Sequence, residues 1–142
     1  MTKSLVIDPF SGVSGDMFTA SLVDLGVAFD EVRAPILAMP VFAGVRADLA
    51  RATRGVFDAA RVTVDCPQVR DHRSVSDIRK IVEASELSGP VKTGIVKTFE
   101  ILANAEAKVH GRKPDDIHFH EVGALDAMFD IFAAHLALEL LG

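Results

Sequence analysis

The run His118-Phe119-His120-Glu121, followed by Gly123, Asp126 and Asp130, concentrates ligand-type side chains in a short stretch of chain. In an extended segment alternate side chains share a face, so His118 and His120 would point the same way. Asp126 and Asp130, four residues apart, would share one side of a following helix. Two imidazoles with carboxylates suit Zn²⁺, Ni²⁺, Mn²⁺ or Fe²⁺, and the affinity order alone does not choose among them. Glu121 would be a ligand or a proton acceptor. The run is not a zincin helix, because Ala124 stands where HExxH needs its second His. The same residues could instead serve as helix caps and polar core groups.

A second candidate is Asp8-Pro9-Phe10-Ser11-Gly12-Val13-Ser14-Gly15-Asp16-Met17. Its glycines let backbone approach a ligand, and amides at a helix start favour an anion, so Ser11, Gly12, Ser14 and Gly15 are candidate cofactor-binding residues. Neither GxxxxGK[ST] nor GxGxxG is present. Asp16 stands where an anion would sit, which weakens the phosphate reading. Asp8 and Asp16 better suit a hard metal or a ribose, and Asp16 is also a natural N-cap. Glu106 and His110 fall four apart before Gly111, where a His also complements the helix dipole. His72, in Asp71-His72-Arg73, would touch a phosphate or water, and His135 between alanines and leucines reads as a core histidine.

These residues need elements to hold them. Leu5-Val6-Ile7 predicts a short buried strand over 4–8, then a glycine loop, then a helix carrying Met17, Phe18, Leu22, Val23 and Leu25 and capped by Gly26. Phe29, Val32, Ile36 and Leu37 predict a second helix, interrupted by Pro35. Alternation over 43–50 and 56–65 predicts two strands joined through Arg51–Gly55. Ser74 or Ser76 would cap a helix carrying Ile78, Ile81 and Val82. Pro90 opens a long helix to His110 with Val91, Ile95, Phe99, Leu102, Ala105 and Val109 on one face. A short strand over 116–120 and an apolar helix from Leu125 to Leu141 complete the chain. The expected fold is a single α/β domain, a short mixed sheet with about five helices.

Composition narrows the function. The 142 residues are 49% hydrophobic and carry net charge −5, with no Trp or Tyr. Such a chain can bury a real core, and it lacks the basic stripe and stacking platform that nucleic acid requires. No run approaches a membrane span, and the N-terminal apolar run is too short for a signal peptide. Cys66, the one cysteine, supports no disulfide or Cys-based zinc site, so a cytoplasmic protein with a half-buried thiol is expected.

Three motifs in order, Leu5-Val6-Ile7-Asp8-Pro9-Phe10-Ser11-Gly12-Val13-Ser14-Gly15-Asp16-Met17, Ala105-Glu106-Ala107-Lys108-Val109-His110-Gly111 and His118-Phe119-His120-Glu121-Val122-Gly123-Ala124-Leu125-Asp126, closely resemble the LarC family of nickel insertion proteins. The resemblance covers essentially the whole chain and the N-terminal part of the family's usual length. It implies insertion of Ni²⁺ into pyridinium-3,5-bisthiocarboxylic acid mononucleotide to make the nickel-pincer cofactor of lactate racemase. It also implies CTP with Mn²⁺ or Mg²⁺, the CTP site lying in a C-terminal region that 1–142 would lack and that a longer chain or a second subunit would supply. Family members often carry a histidine-rich run where this chain has only His72, which argues against nickel storage there.

The resulting expectation gives His118, His120, Asp8 and Asp126 as metal ligands and Glu121 and Asp16 as catalytic groups. Two other readings stay open. One is a non-catalytic assembly or metal-binding module whose apolar last helix packs on a partner or on a second copy in a homo-oligomer. The other is a metal-dependent phosphate-ester hydrolase, for which no nucleophile stands out.

Overall fold

A computed structural model describes residues 4–67, 73–119 and 123–142. Its five helices are α1 (Gly15–Asp24), α2 (Phe29–Leu37), α3 (Val75–Ala84), α4 (Gly89–His110) and α5 (Leu125–Leu141). The strands are β1 (Arg46–Arg54), β2 (Phe57–Asp65), β3 (Arg73–Ser74) and β4 (His118–Phe119). The α/β class and the helix number are as expected. The strands, however, form two separate pairs, β1 with β2 and β3 with β4, and both are antiparallel.

The hairpin starts later than the alternation suggests. Pro40 opens a 3-10 turn over Pro40–Phe42 that buries Phe42, and Gly44 at φ +83° completes the turn before β1 begins at Arg46. The strands then pair from Arg46 opposite Asp65 to Arg54 opposite Phe57, leaving Gly55-Val56 as a two-residue connection. Gly55 has φ +61°, a conformation such a turn demands and that favours glycine. Arg51, expected in the turn, lies within β1 instead. Its guanidinium holds Asp58 at 2.7 Å and also Asp24 of α1, while Asp24 accepts the Ala60 amide at 2.8 Å. The hairpin is thereby fastened to α1.

One expectation fails outright. Residues 4–8 form no strand and are exposed: Leu5 is 40%, Val6 86% and Ile7 55% accessible. The physical reason is that a strand needs a ladder, and among the described residues β1 and β2 pair only with each other.

The core gathers on α5, whose Met128, Phe129, Phe132, Ala133 and Ala137 are fully buried. Phe42 meets Phe129 and Phe132 edge-on at 6.3 and 5.6 Å between centroids. Helix α4 turns Val91, Ile95, Phe99, Ala103 and Ala107 inward, so its buried face follows every fourth residue. Ala105 and Val109, expected on that face, are exposed, because Ala103 and Ala107 take the inner positions of the last turns. Helix α2 runs through Pro35 to Leu37, so the proline sacrifices a hydrogen bond without ending the helix. Gly111 ends α4 in the left-handed conformation, φ +63°, as its position suggested.

Ser74 starts α3 with a reciprocal cap: the Asp77 amide donates to Ser74 Oγ at 3.2 Å, and the Ser74 amide donates to the Asp77 carboxylate at 3.1 Å. Ser74→Ala should cost about 1 kcal/mol and lower the melting temperature by roughly 3–5 °C in a thermal unfolding scan.

Candidate functional site

The starts of α1 and α5 meet, and the contact is between Gly15 and Asp130. A Cβ on Gly15 would lie 2.5 Å from both the Cβ and Oδ2 of Asp130, so only glycine fits there. The Asp16 amide hydrogen-bonds the Asp130 carboxylate, and the charges of Asp16 and Asp126 face it. Burial, reinforced by those two neighbours and opposed by that hydrogen bond, pushes Asp130 up to about 6. The amide that a helix start offers to an outside anion is thus used by a carboxylate of the same chain.

Asp16 itself accepts the Met17 amide at 2.8 Å and the Ser14 hydroxyl. Asp126, exposed in the first turn of α5, accepts the Ala127 amide at 2.8 Å. Half-buried Cys66, just past β2, lies close enough to Asp126, Asp65 and Asp130 for their charges to add to burial in pushing its thiol up. One turn along α1, the Thr19 hydroxyl is fully buried with no hydrogen-bond partner among the described residues.

The other expected residues lie apart from this cluster or outside the described residues. Asp8, Ser11 and Gly12 are exposed in the segment before α1, where the Gly12 amide closes a turn onto the Pro9 carbonyl at 2.9 Å. A cleft of about 550 Å³ separates this segment from Met17, Phe18, Ser21 and Leu25. His118 is exposed on β4 and stands near Asp77. The Ser74 hydrogen bonds hold that carboxyl below its usual range, with smaller help from Lys80 and His118. His72, His120 and Glu121 lie outside the described residues. Glu106 is half-buried and His110 exposed at the end of α4. Among the described residues no three His, Cys, Asp or Glu side chains stand close enough to hold one metal ion.

His135 is the core histidine its surroundings suggested. The Thr98 hydroxyl lies 3.0 Å from the Gly94 carbonyl and 2.9 Å from His135 Nε2, so it hydrogen-bonds the ring, the tautomer of which sets the donor. Burial pushes the imidazole below its ordinary range. Sequence reasoning named Asp130 as a partner of Asp126 from their spacing, but nothing local showed that Cys66 would come near both.

Asp16, Asp126, Asp130 and Cys66 gather where the starts of α1 and α5 meet, which makes that end of this α/β domain acidic. The chain belongs to the nickel insertion protein family, which matches residues 5–142. A Staphylococcus saprophyticus protein named pyridinium-3,5-bisthiocarboxylic acid mononucleotide nickel insertion protein is 40% identical over all 142 residues, which cover 36% of its own length. Putative nickel insertion proteins of Roseiflexus castenholzii and Geobacter metallireducens are 42% and 40% identical over 142 and 141 residues, again covering 36% of each. The chain therefore spans about a third of the length of these relatives. No solved structure matches. Among the described residues no helix is long and apolar enough to cross a membrane.

Asp130 and His135 set opposite pH dependences. The folded chain keeps a proton on Asp130 between pH about 4 and 6 where the unfolded chain has released it, so this residue's contribution to stability falls as pH rises through that window. His135 holds fewer protons folded than unfolded, so its contribution rises with pH toward 6.5. Asp130→Asn should be about 1 kcal/mol more stable than the parent at pH 7.5, after discounting a roughly two-unit shift for partial exposure. Urea unfolding at pH 5 and 7.5 checks this; an equal or lower stability at pH 7.5 contradicts it.

Helix propensity alone makes Gly94→Ala about 1 kcal/mol stabilising. The added Cβ, however, would sit 2.6 Å from His135 Nδ1, so a net loss of about 1–3 kcal/mol is expected in the same assay.

Proposed function

We propose that this chain is the nickel-handling domain of a protein that inserts Ni²⁺ into pyridinium-3,5-bisthiocarboxylic acid mononucleotide. Membership of the nickel insertion family over residues 5–142 carries the reading, and the carboxylates between α1 and α5 support it. In this proposal Ni²⁺ is cargo. Asp16 and Asp126 attract the ion, and His118, His120 and Asp8 take part in its capture and transfer to the sulfur atoms of the substrate.

Forming a nickel–carbon bond on the pyridinium ring requires loss of a ring proton. A carboxylate raised toward neutral pH suits that step better than an ordinary one, because its basicity is closer to the operating pH. Asp130 meets that requirement. We therefore add it to Glu121 and Asp16 as a candidate proton acceptor. Ser11 and Gly12 in the segment before α1, with His72, would face the nucleotide's phosphate, whereas Ser14 and Gly15 belong to the α1 start that Asp130 already uses.

The α1 start does not suit a triphosphate, since Asp130 uses its amide and three carboxylates surround it. We accordingly assign CTP, with Mn²⁺ or Mg²⁺, to the part of the longer family chains outside this domain, and route no step through it. A reducing cytoplasm fits the single thiol, Cys66.

Equilibrium dialysis against Ni²⁺ alone tests the reading. The parent chain should bind nickel, and either His118→Ala with His120→Ala or Asp126→Asn with Asp130→Asn should weaken binding at least about tenfold, or about 1.4 kcal/mol. No binding by the parent, or binding indifferent to both pairs, sinks the proposal.

A further inference from the structure

The sequence and the structure disagree most sharply at residues 4–8, and the disagreement points outward. Leu5-Val6-Ile7 is apolar at consecutive positions, the pattern of a strand covered on both faces. In the structure the segment belongs to no ladder and exposes all three side chains. Phe10, Val13 and Met17 extend the same bare surface, with Phe10 93% accessible. An apolar patch of this kind beside open backbone is what a sheet edge looks like without its neighbour.

The far end of α5 borders the same region. Ser4 and Leu5 line a groove with Leu25, Leu138, Leu141 and Gly142, so polypeptide continuing from α5 would emerge against the 4–8 segment. Each curated relative is much longer than the region it shares with this chain, which covers 36% of it.

We infer that residues 4–8 are one strand of a sheet whose neighbouring strand comes from the part of the family's longer chains outside this domain, seated in the groove between Ser4-Leu5 and the end of α5. The occupant is tethered polypeptide rather than a second copy. A segment leaving α5 at Gly142 is already at the groove, and short tethers raise effective concentration to roughly millimolar without any new contact. Backbone pairing would satisfy the open amides, and the flanking chain would cover Val6 and Ile7.

The inference rests on family membership and not on nickel binding, so the dialysis result leaves it untouched. Hydrogen–deuterium exchange tests it, comparing this chain alone with a chimera in which it replaces the matched region of the Staphylococcus saprophyticus relative. Amides of residues 5–8 should exchange at least about tenfold more slowly in the chimera. Val6→Pro and Ile7→Pro remove adjacent N–H groups, of which at least one must point into a ladder, so one or both should abolish the slowing.

Val6 and Ile7 are exposed in the chain alone, and both variants should melt there like the parent. Equal exchange in chain and chimera overturns the inference. Slowing that survives both prolines shows apolar cover without strand pairing and also overturns it. Slowing in the chain alone that grows with its concentration assigns the surface to a second copy. Should the chimera not fold, the whole relative against its own matched region gives the same comparison.

Discussion

Helix α5 is the constraint on which the other elements depend. It touches α1, α2, α4 and β2; its buried residues form one broad face, and the rest of its circumference from 127 to 137 is half-buried, with no residue exposed. A surface helix needs only one apolar stripe, whereas a helix buried all round must be surrounded. Helices α1, α2 and α4 supply that enclosure, Phe42 closes one flank against Phe129 and Phe132, and the β1–β2 hairpin reaches the cluster through α1. Helix α3 and the short β3–β4 pair are held a layer further out, α3 resting on α4.

The acidic end follows from the same packing. The first turns of α1 and α5 each carry an Asp, which complements the partial positive charge of a helix start. Bringing the two starts together puts Asp16 and Asp126 near Asp130, one turn further along and more deeply placed. Asp130 therefore bears the electrostatic cost of the arrangement, offset in part by the Asp16 amide.

Much of this was legible in the chain. Helices announced themselves through caps and periodicity, as with Ser74, Pro90 and Gly111, because those signals are local. The hairpin was legible in kind but not in extent, since Arg51 belongs to a strand only by virtue of its grip on Asp24 and Asp58. Residues 4–8 read as a strand from side-chain pattern, yet pairing is a property of two segments and one segment cannot declare its partner. At the site, the spacing of Asp126 and Asp130 was visible. That Gly15 would be the surface receiving Asp130, or that Cys66 would come near both, depends on contacts between residues distant in sequence. His118 shows the converse: its ligand chemistry was plain, but its strand places it beside Asp77.

Two polar residues of α5 have a consequence for how the helix finds its place. A rod that is apolar around its circumference can slide or rotate among its neighbours with little change in buried area. Asp130 seats against Gly15 of α1 and His135 against Gly94 of α4, each where a side chain on the opposing helix would not fit. Turning α5 by one residue in either direction would take both groups out of their notches and move one of them toward a buried position, Phe129 or Leu136. The two notches act as keyways: hydrophobicity holds the rod in the domain, and a carboxylate and a ring fix its angle.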